Sequence, residues 1–236
     1  MNAFLEAIGR RRLWYCISMG EKRAFLFDLD GVIADNMRFH ASAWRRFFLE
    51  RGIRLDMPEF YAKTSGMPTR DVLAYYFRRP VPKAEADRLT GEKEALYRRL
   101  YRPRMKPLPG LRLFLRRARK QGFALGVGTG SKADNAGFIL DGLRLRPAFD
   151  AVVCACEVRR GKPHPETFLK LARRLKVRPK DCIVFEDSLL GEESGLRAGM
   201  RVVAVSTSHP RRDFRSPIRV IKDFRVGSAL DLFDAF

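Results

Sequence analysis

Short runs of consecutive apolar residues punctuate this chain, and longer stretches with apolar positions three and four apart lie between them. Runs such as Phe25-Leu26-Phe27 and Ile183-Val184-Phe185 read as strands buried on both faces. From Gly110 onward the two patterns alternate. They predict helix 110–121, strand 123–128, helix 132–141, strand 151–154, helix 164–175, strand 182–186, helix 189–198 and strand 201–205. A further short strand falls around Val220-Ile221, and a closing helix near Leu230 to Phe233. Strands alternating with helix-length segments predict an α/β fold, a parallel sheet with helices on both faces.

No strand-like run interrupts residues 37–101. Met37 to Gly52 carries Phe39, Ala43, Trp44, Phe47 and Phe48 at helical spacing and stops at a glycine. Pro68 to Arg79 and Lys83 to Tyr101 read as further helices, the second with Gly91 as a point of kinking or division. Pro103, Pro107 and Pro109 mark the return of the chain. Residues 36–103 are therefore expected to form a small all-helical insert after the first strand, with 22–35 and 104–236 as the core and 1–21 as an extension ahead of it. Only two connections, near 34–36 and 102–109, would join the parts, so the insert can hinge as a lid.

The chemistry-bearing residues cluster where the apolar runs end. The first run closes in Asp28-Leu29-Asp30-Gly31, two carboxylates on alternate residues at the carboxyl edge of the sheet, where open α/β folds place their sites. Two unpaired carboxylates this close repel unless a cation lies between them, which points to a magnesium site. Leu125 to Ser131 ends in Thr129-Gly130-Ser131, with Ser131 and Asp134 expected to cap the following helix. Gly161-Lys162-Pro163-His164 puts a lysine in a loop ahead of a helix, and Ile183 to Ser188 ends in Glu186-Asp187. His164 reads as a loop residue beside Lys162, and His209 as a surface residue.

These four fragments, in this order, resemble the motifs of the haloacid dehalogenase superfamily, in particular its phosphatases and its β-phosphoglucomutase-like branch, over residues 22–207. The resemblance implies a Rossmann-like parallel sheet with a small helical cap inserted after the first strand. It implies Asp28 as a nucleophile toward phosphorus and Asp30 as the acid and base. It further implies Thr129 and the Gly130 amide on a phosphoryl oxygen, with Ser131 and Lys132 beside them, and Lys162 supplying positive charge. Magnesium would be held by Asp28, the backbone carbonyl of Asp30, Asp187 and, directly or through water, Glu186. In the cap, His40, Trp44, Lys93 and Tyr97 look like mutase cap-helix residues, and Arg70 like the arginine that grips a second phosphate. Asn36, where threonine is usual, and Glu94, where the mutase carries asparagine, depart from that pattern. So do the Gly66 to Arg70 spacing, one residue longer than in the mutase, and Glu192 with Ser194-Gly195. On the mutase-like alignment, Glu94 would sit near Arg70. The implied activity is a magnesium-dependent phosphatase of small phosphate monoesters, sugar phosphates above all, through an aspartyl-phosphate; the alternative is a β-phosphoglucomutase.

Charge introduces a competing class. The formal net charge is +20, from 47 basic and 27 acidic residues. Such a chain can bind nucleic acid by neutralising phosphates. The basic residues are, however, spread over nearly every predicted helix surface, and no nucleic-acid motif accompanies them. A solvated basic surface that draws in anionic substrates is therefore expected, with a small phosphorylated metabolite as partner and no specific nucleic acid. Cys16, Cys154, Cys156 and Cys182 form no Cys-x-x-Cys pattern and read as reduced core thiols of a cytoplasmic protein. No run is long enough to span a membrane, and Met1 to Gly20, broken by Glu6 and Arg10-Arg11-Arg12, does not read as a signal peptide. Monomer or oligomer is left open.

Overall fold

A computed structural model of the protein describes residues 22–64 and 67–225. The extension 1–21, Gly66 and the helix expected near Leu230 lie outside the described residues. Six strands form one sheet: β1 (Ala24–Phe27), β2 (Ala124–Gly128), β3 (Ala151–Val153), β4 (Cys182–Glu186), β5 (Arg201–Val205) and β6 (Arg219–Ile221). Their order is β3-β2-β1-β4-β5-β6, and every neighbouring pair is parallel. The chain moves outward in one direction from β1 to β2 and in the other from β4 to β5, so a crevice opens at the carboxyl ends between the two halves.

Strand residues alternate between faces, and the two faces are packed differently. Phe25 and Phe27 point to one side with Phe185, where Phe25 stacks on Phe123 at 4.4 Å and Phe27 on Phe185 at 4.8 Å between ring centroids. Ala24, Leu26 and Val184 point to the other, against Phe168, Leu171 and Leu175 of a helix spanning Glu166–Leu175. The aromatic side continues without a break into the inserted helices, so insert and sheet share one apolar core.

The insert holds α1 (Met37–Leu49), α2 (Met57–Thr64), α3 (Thr69–Phe77) and α4 (Lys83–Tyr101), and the core adds α5 (Leu111–Lys120), α6 (Ala133–Gly142), α7 (Glu166–Leu175) and α8 (Leu189–Arg197). Among the described residues no strand lies between 37 and 101, as the apolar spacing predicts. Helix α2 is not legible in that spacing: over eight residues it buries only Met57, Phe60 and Thr64, too short a stripe to register. Gly91 does not divide α4, which runs unbroken for 19 residues. Its buried stripe of Leu89, Lys93, Leu96 and Tyr97 packs on α1 and outweighs the roughly 1 kcal/mol that a helical glycine costs. The two connections run side by side, Ala34 pairing with Pro107 and the Leu108 amide donating to the Ile33 carbonyl at 3.0 Å. Among the described residues no helix is long and apolar enough to cross a membrane. Cys154 and Cys182 are buried, but Cys156 is exposed and is not a core thiol.

Candidate active site

Four strand ends deliver the polar residues to the crevice. The Asp28 amide donates to the Phe185 carbonyl at 2.9 Å, so β1–β4 pairing continues one residue past β1 and holds the Asp28 backbone. The Lys162 ammonium bonds the carboxylates of Asp28 and Glu186 and, at 3.1 Å, the Gly128 carbonyl. Glu186 is fixed on its other side, where Oε2 accepts from the Asp187 amide at 3.0 Å, the Ser188 amide at 3.1 Å and the Ser188 hydroxyl at 3.0 Å. Two glycines make room for these acids. Gly31, in the left-handed region at φ 78°, lies where a Cβ would be 2.0 Å from Asp187 Oδ2, and a Cβ on Gly191 would be 1.9 Å from Glu186 Cδ. Asp187 also accepts from the Ser208 hydroxyl.

Two carboxylates, Asp28 and Glu186, thus share one ammonium, with Asp187 beside them. Burial raises the Asp28 pKa to about 7; Lys162 works against that shift, and Glu186 and Asp30 add to it. Burial, then Glu186 and Asp28, push Asp187 well above the ordinary carboxylate range. Burial opposes the charge on Lys162, but Asp28 and Glu186 raise its pKa all the same. Among the described residues no cluster of three or more His, Cys, Asp or Glu side chains is preassembled to hold a metal ion.

Asp30 is built into a different network. Ser131 Oγ donates to its Oδ2 at 2.7 Å, Asn36 Nδ2 donates to its Oδ1 at 2.5 Å, and His40 Nε2 lies 3.4 Å from the same oxygen. Burial alone would raise its pKa, but the bonds from His40, Ser131 and Asn36 bring it down to about 2. Asn36 also donates to the Tyr97 hydroxyl at 2.7 Å, and Tyr97 stacks on His40 at 3.7 Å. The expected cap by Ser131 and Asp134 is absent: α6 begins one residue later, with no side-chain bond at its start, because the Ser131 hydroxyl is taken by Asp30.

A cavity of about 860 Å³ opens above this floor, lined from the core by Asp28, Asp30, Thr129, Gly130, Ser131, Lys162, Glu186 and Asp187. The inserted helices supply the opposite wall, chiefly Trp44, Phe60 and Tyr61 with Arg38, Lys93 and Glu94. Thr129 is buried, and its Oγ1 accepts from the Ser131 amide at 3.0 Å, leaving its own hydrogen free to donate. His40 lies behind Asp30. Arg70 does not line the cavity; it is exposed, with Nε 3.8 Å from Asp71 Oδ1. Glu94 is therefore not set against it, but against Lys93 and Asn135. Lys132 is exposed and also outside the cavity.

His209 is not a surface residue. It lines the cavity, with Nδ1 3.1 Å from the Asp187 carbonyl. Sequence reasoning also missed Ser208, and it marked Glu192 only as a departure from the family pattern. The Glu192 carboxylate is buried and accepts from the Arg215 and Ser216 amides at 2.9–3.1 Å, anchoring the loop that carries Ser208 and His209.

Residues 25–205 match the haloacid dehalogenase-like hydrolase family. The chain belongs to that family. It is 34% identical over 180 residues to a fructose-1-phosphate phosphatase of Escherichia coli K12, covering 76% of this chain and 94% of the relative. It is 30% identical over 197 residues to the β-phosphoglucomutase of Bacillus subtilis 168, covering 80% and 85%. In fold it is similar to a family IA haloacid dehalogenase hydrolase of Entamoeba histolytica, with a TM-score of 0.82, 23% identity, and coverage of 90% of this chain and 99% of the other. The enzymatic nature of the chain follows from membership.

Proposed function

We propose that this haloacid dehalogenase-like hydrolase is a magnesium-dependent, cytoplasmic phosphatase of small phosphate monoesters, sugar phosphates above all, working through a phosphorylated Asp28. One observation carries the reading: Asp28 stands on the cavity floor with Lys162 on its carboxylate and Thr129 at the next strand end. Phosphate monoesters are among the slowest molecules to hydrolyse unaided, and a covalent intermediate divides the barrier into two steps.

In the first step the Asp28 carboxylate bonds to phosphorus as the bond to the leaving oxygen breaks, and Asp30 gives that oxygen its proton. In the second, water attacks phosphorus, its proton passes to Asp30, and the bond to Asp28 breaks to release phosphate. The three donors around Asp30 hold it as a carboxylate, the form needed in the second step. For the first step a proton on Oδ2 leaves Oδ1 to accept from Asn36 and His40, and Oδ2 keeps one acceptor site toward Ser131. Lys162 and the Thr129 hydroxyl face the developing charge on the phosphoryl oxygens.

The Lys162 ammonium pairs with Asp28 and Glu186 and not with Asp187, so the acids on the cavity floor are short of positive charge, and hard oxygen ligands with room for water and phosphate suit magnesium. Asp28, Asp187 and the Asp30 carbonyl would hold it; Glu186, with both oxygens already engaged, acts by steadying Lys162. When bound, the ion supplies positive charge at the phosphoryl oxygens and relieves the repulsion among the acids.

The Escherichia coli relative is a fructose-1-phosphate phosphatase, which supports a sugar phosphate as substrate. Arg70, outside the cavity, gives no grip on a second phosphate and weighs against the mutase. The test is a panel of phosphorylated metabolites with magnesium, fructose 1-phosphate and β-glucose 1-phosphate included. Phosphate release that is lost in Asp28→Asn is expected, and full turnover in that folded variant would remove the mechanism. Glucose 6-phosphate forming faster than free phosphate, in a reaction primed with the bisphosphate, would install the mutase instead. Tight, sequence-selective nucleic-acid binding without hydrolysis would overturn the enzymatic reading of the basic surface.

A further inference from the structure

Glu94 is the one side chain of α4 whose two carboxylate oxygens are bonded to the two sides of the cavity. Its Oε1 accepts from the Lys93 ammonium at 2.8 Å, and its Oε2 accepts from Asn135 Nδ2 at 2.6 Å. Asn135 belongs to α6 of the core and is buried. Its orientation is set by Arg98 Nη1, which donates to Asn135 Oδ1 at 2.7 Å and so turns the amide hydrogens toward Glu94. Helix α6 begins just after Ser131, the donor to Asp30 Oδ2. Contacts therefore run in a ring from Asp30 through Ser131 and α6 to Asn135, across to Glu94, and back through Lys93 and His40.

The return path fixes a proton. A lysine ammonium carries donors only, so at 3.0 Å from Lys93 Nζ the His40 Nδ1 has to accept. The ring hydrogen of neutral His40 then sits on Nε2, which faces Asp30 Oδ1. Lys93 is buried and needs a counter-charge, and Glu94 is the carboxylate in contact with it. Burial works against the charge on Glu94, yet Lys93 holds its carboxyl below the ordinary range.

We propose that Glu94 is a positioning residue for proton transfer at Asp30: its bond to Asn135 ties the placement of Lys93, and through it the Nε2–H form of His40, to docking of the inserted helices on α6. The proposal rests on the reading of Asp30 as the acid and base and adds two residues, Glu94 and Asn135, to it.

The test exchanges donor and acceptor across the contact. Glu94→Gln alone sets an amide donor against the Asn135 donor, and Asn135→Asp alone sets carboxylate against carboxylate. The double variant restores a donor–acceptor pair of opposite polarity, with Arg98 still in reach. For a sugar phosphate, kcat/KM should fall at least about tenfold in each single variant, a part of what positioned acid–base catalysis supplies. The double variant should recover most of it. For p-nitrophenyl phosphate, whose leaving group needs no proton, kcat/KM should change less than about threefold. Equal losses on the two substrates, or no recovery in the double variant, would overturn the proposal. A second readout is independent of turnover. Ring ¹⁵N shifts should report His40 as the Nε2–H tautomer in the wild type and as a mixture in Glu94→Ala. An unchanged tautomer in that variant overturns the proposal even if the protein hydrolyses nothing. Absence of hydrolysis with the tautomer shifted as expected overturns only the phosphatase reading.

Discussion

Adding one methyl group at Gly191 should disable the site without touching a charged residue. A Cβ there would lie 1.9 Å from Glu186 Cδ, 1.9 Å from Oε1 and 2.3 Å from Oε2, so in Gly191→Ala the carboxylate has to leave its place. Glu186 is 1% exposed, and in moving it gives up the Lys162 pair and the bonds from Asp187 and Ser188. Breaking a buried ion pair by displacing one partner costs about 3–5 kcal/mol, and partial relaxation of α8 would hold the loss near the lower figure. For a chain of this size, about 3 kcal/mol corresponds to a fall in Tm of about 6–12 °C. Lys162, released on one side, no longer holds Asp28 in one geometry, and a misplacement of about 1 Å can lower turnover about 100-fold. Urea or thermal unfolding measures the first quantity, and phosphate release at saturating substrate measures the second. A Gly191→Ala protein with wild-type Tm and wild-type turnover would refute the argument that Glu186 holds Lys162, and Lys162 holds Asp28.

Three further outcomes follow from the same structure. Gly91→Ala should raise stability by about 0.5–1 kcal/mol in urea unfolding, because a Cβ there meets nothing within 4 Å and Gly91 lies inside an unbroken helix; a loss of stability would contradict the continuity of α4. Arg70→Ala should leave kcat/KM for a monophosphate within about twofold, since the side chain is exposed and outside the cavity; a tenfold fall would place it on the substrate. A thiol reagent mapped by mass spectrometry should label Cys156 in the folded protein well before Cys154 or Cys182, the latter buried with its pKa pushed up to about 12; equal labelling of the three would refute the burial.

Asp28, Asp30, Thr129, Lys162, Glu186 and Asp187 were legible in the sequence because each is attached to a local event, the end of an apolar run or the loop ahead of a helix. Strand ends in a parallel sheet share one edge, so reading the strands was enough to bring these residues together. The helical insert was legible for the same reason, as a stretch with no period-two run. Contacts between residues far apart in the chain left no such mark. Glu94 stands out in the sequence as a departure from the mutase asparagine and is expected near Arg70; only the packing of α4 beside α6 sets it instead against Asn135, 41 positions away. Ser131 reads as a helix cap until Asp30, 101 residues distant, is placed within reach of its hydroxyl. Arg70 resembles a motif arginine, one residue out of the usual spacing, yet its side chain points to solvent, because the direction of a helical side chain depends on how the whole helix is seated. Periodicity along the chain determines which residues stand at the sheet edge. Which side chains meet across the cavity is decided by the docking of elements, a property of the assembled core that no local pattern carries.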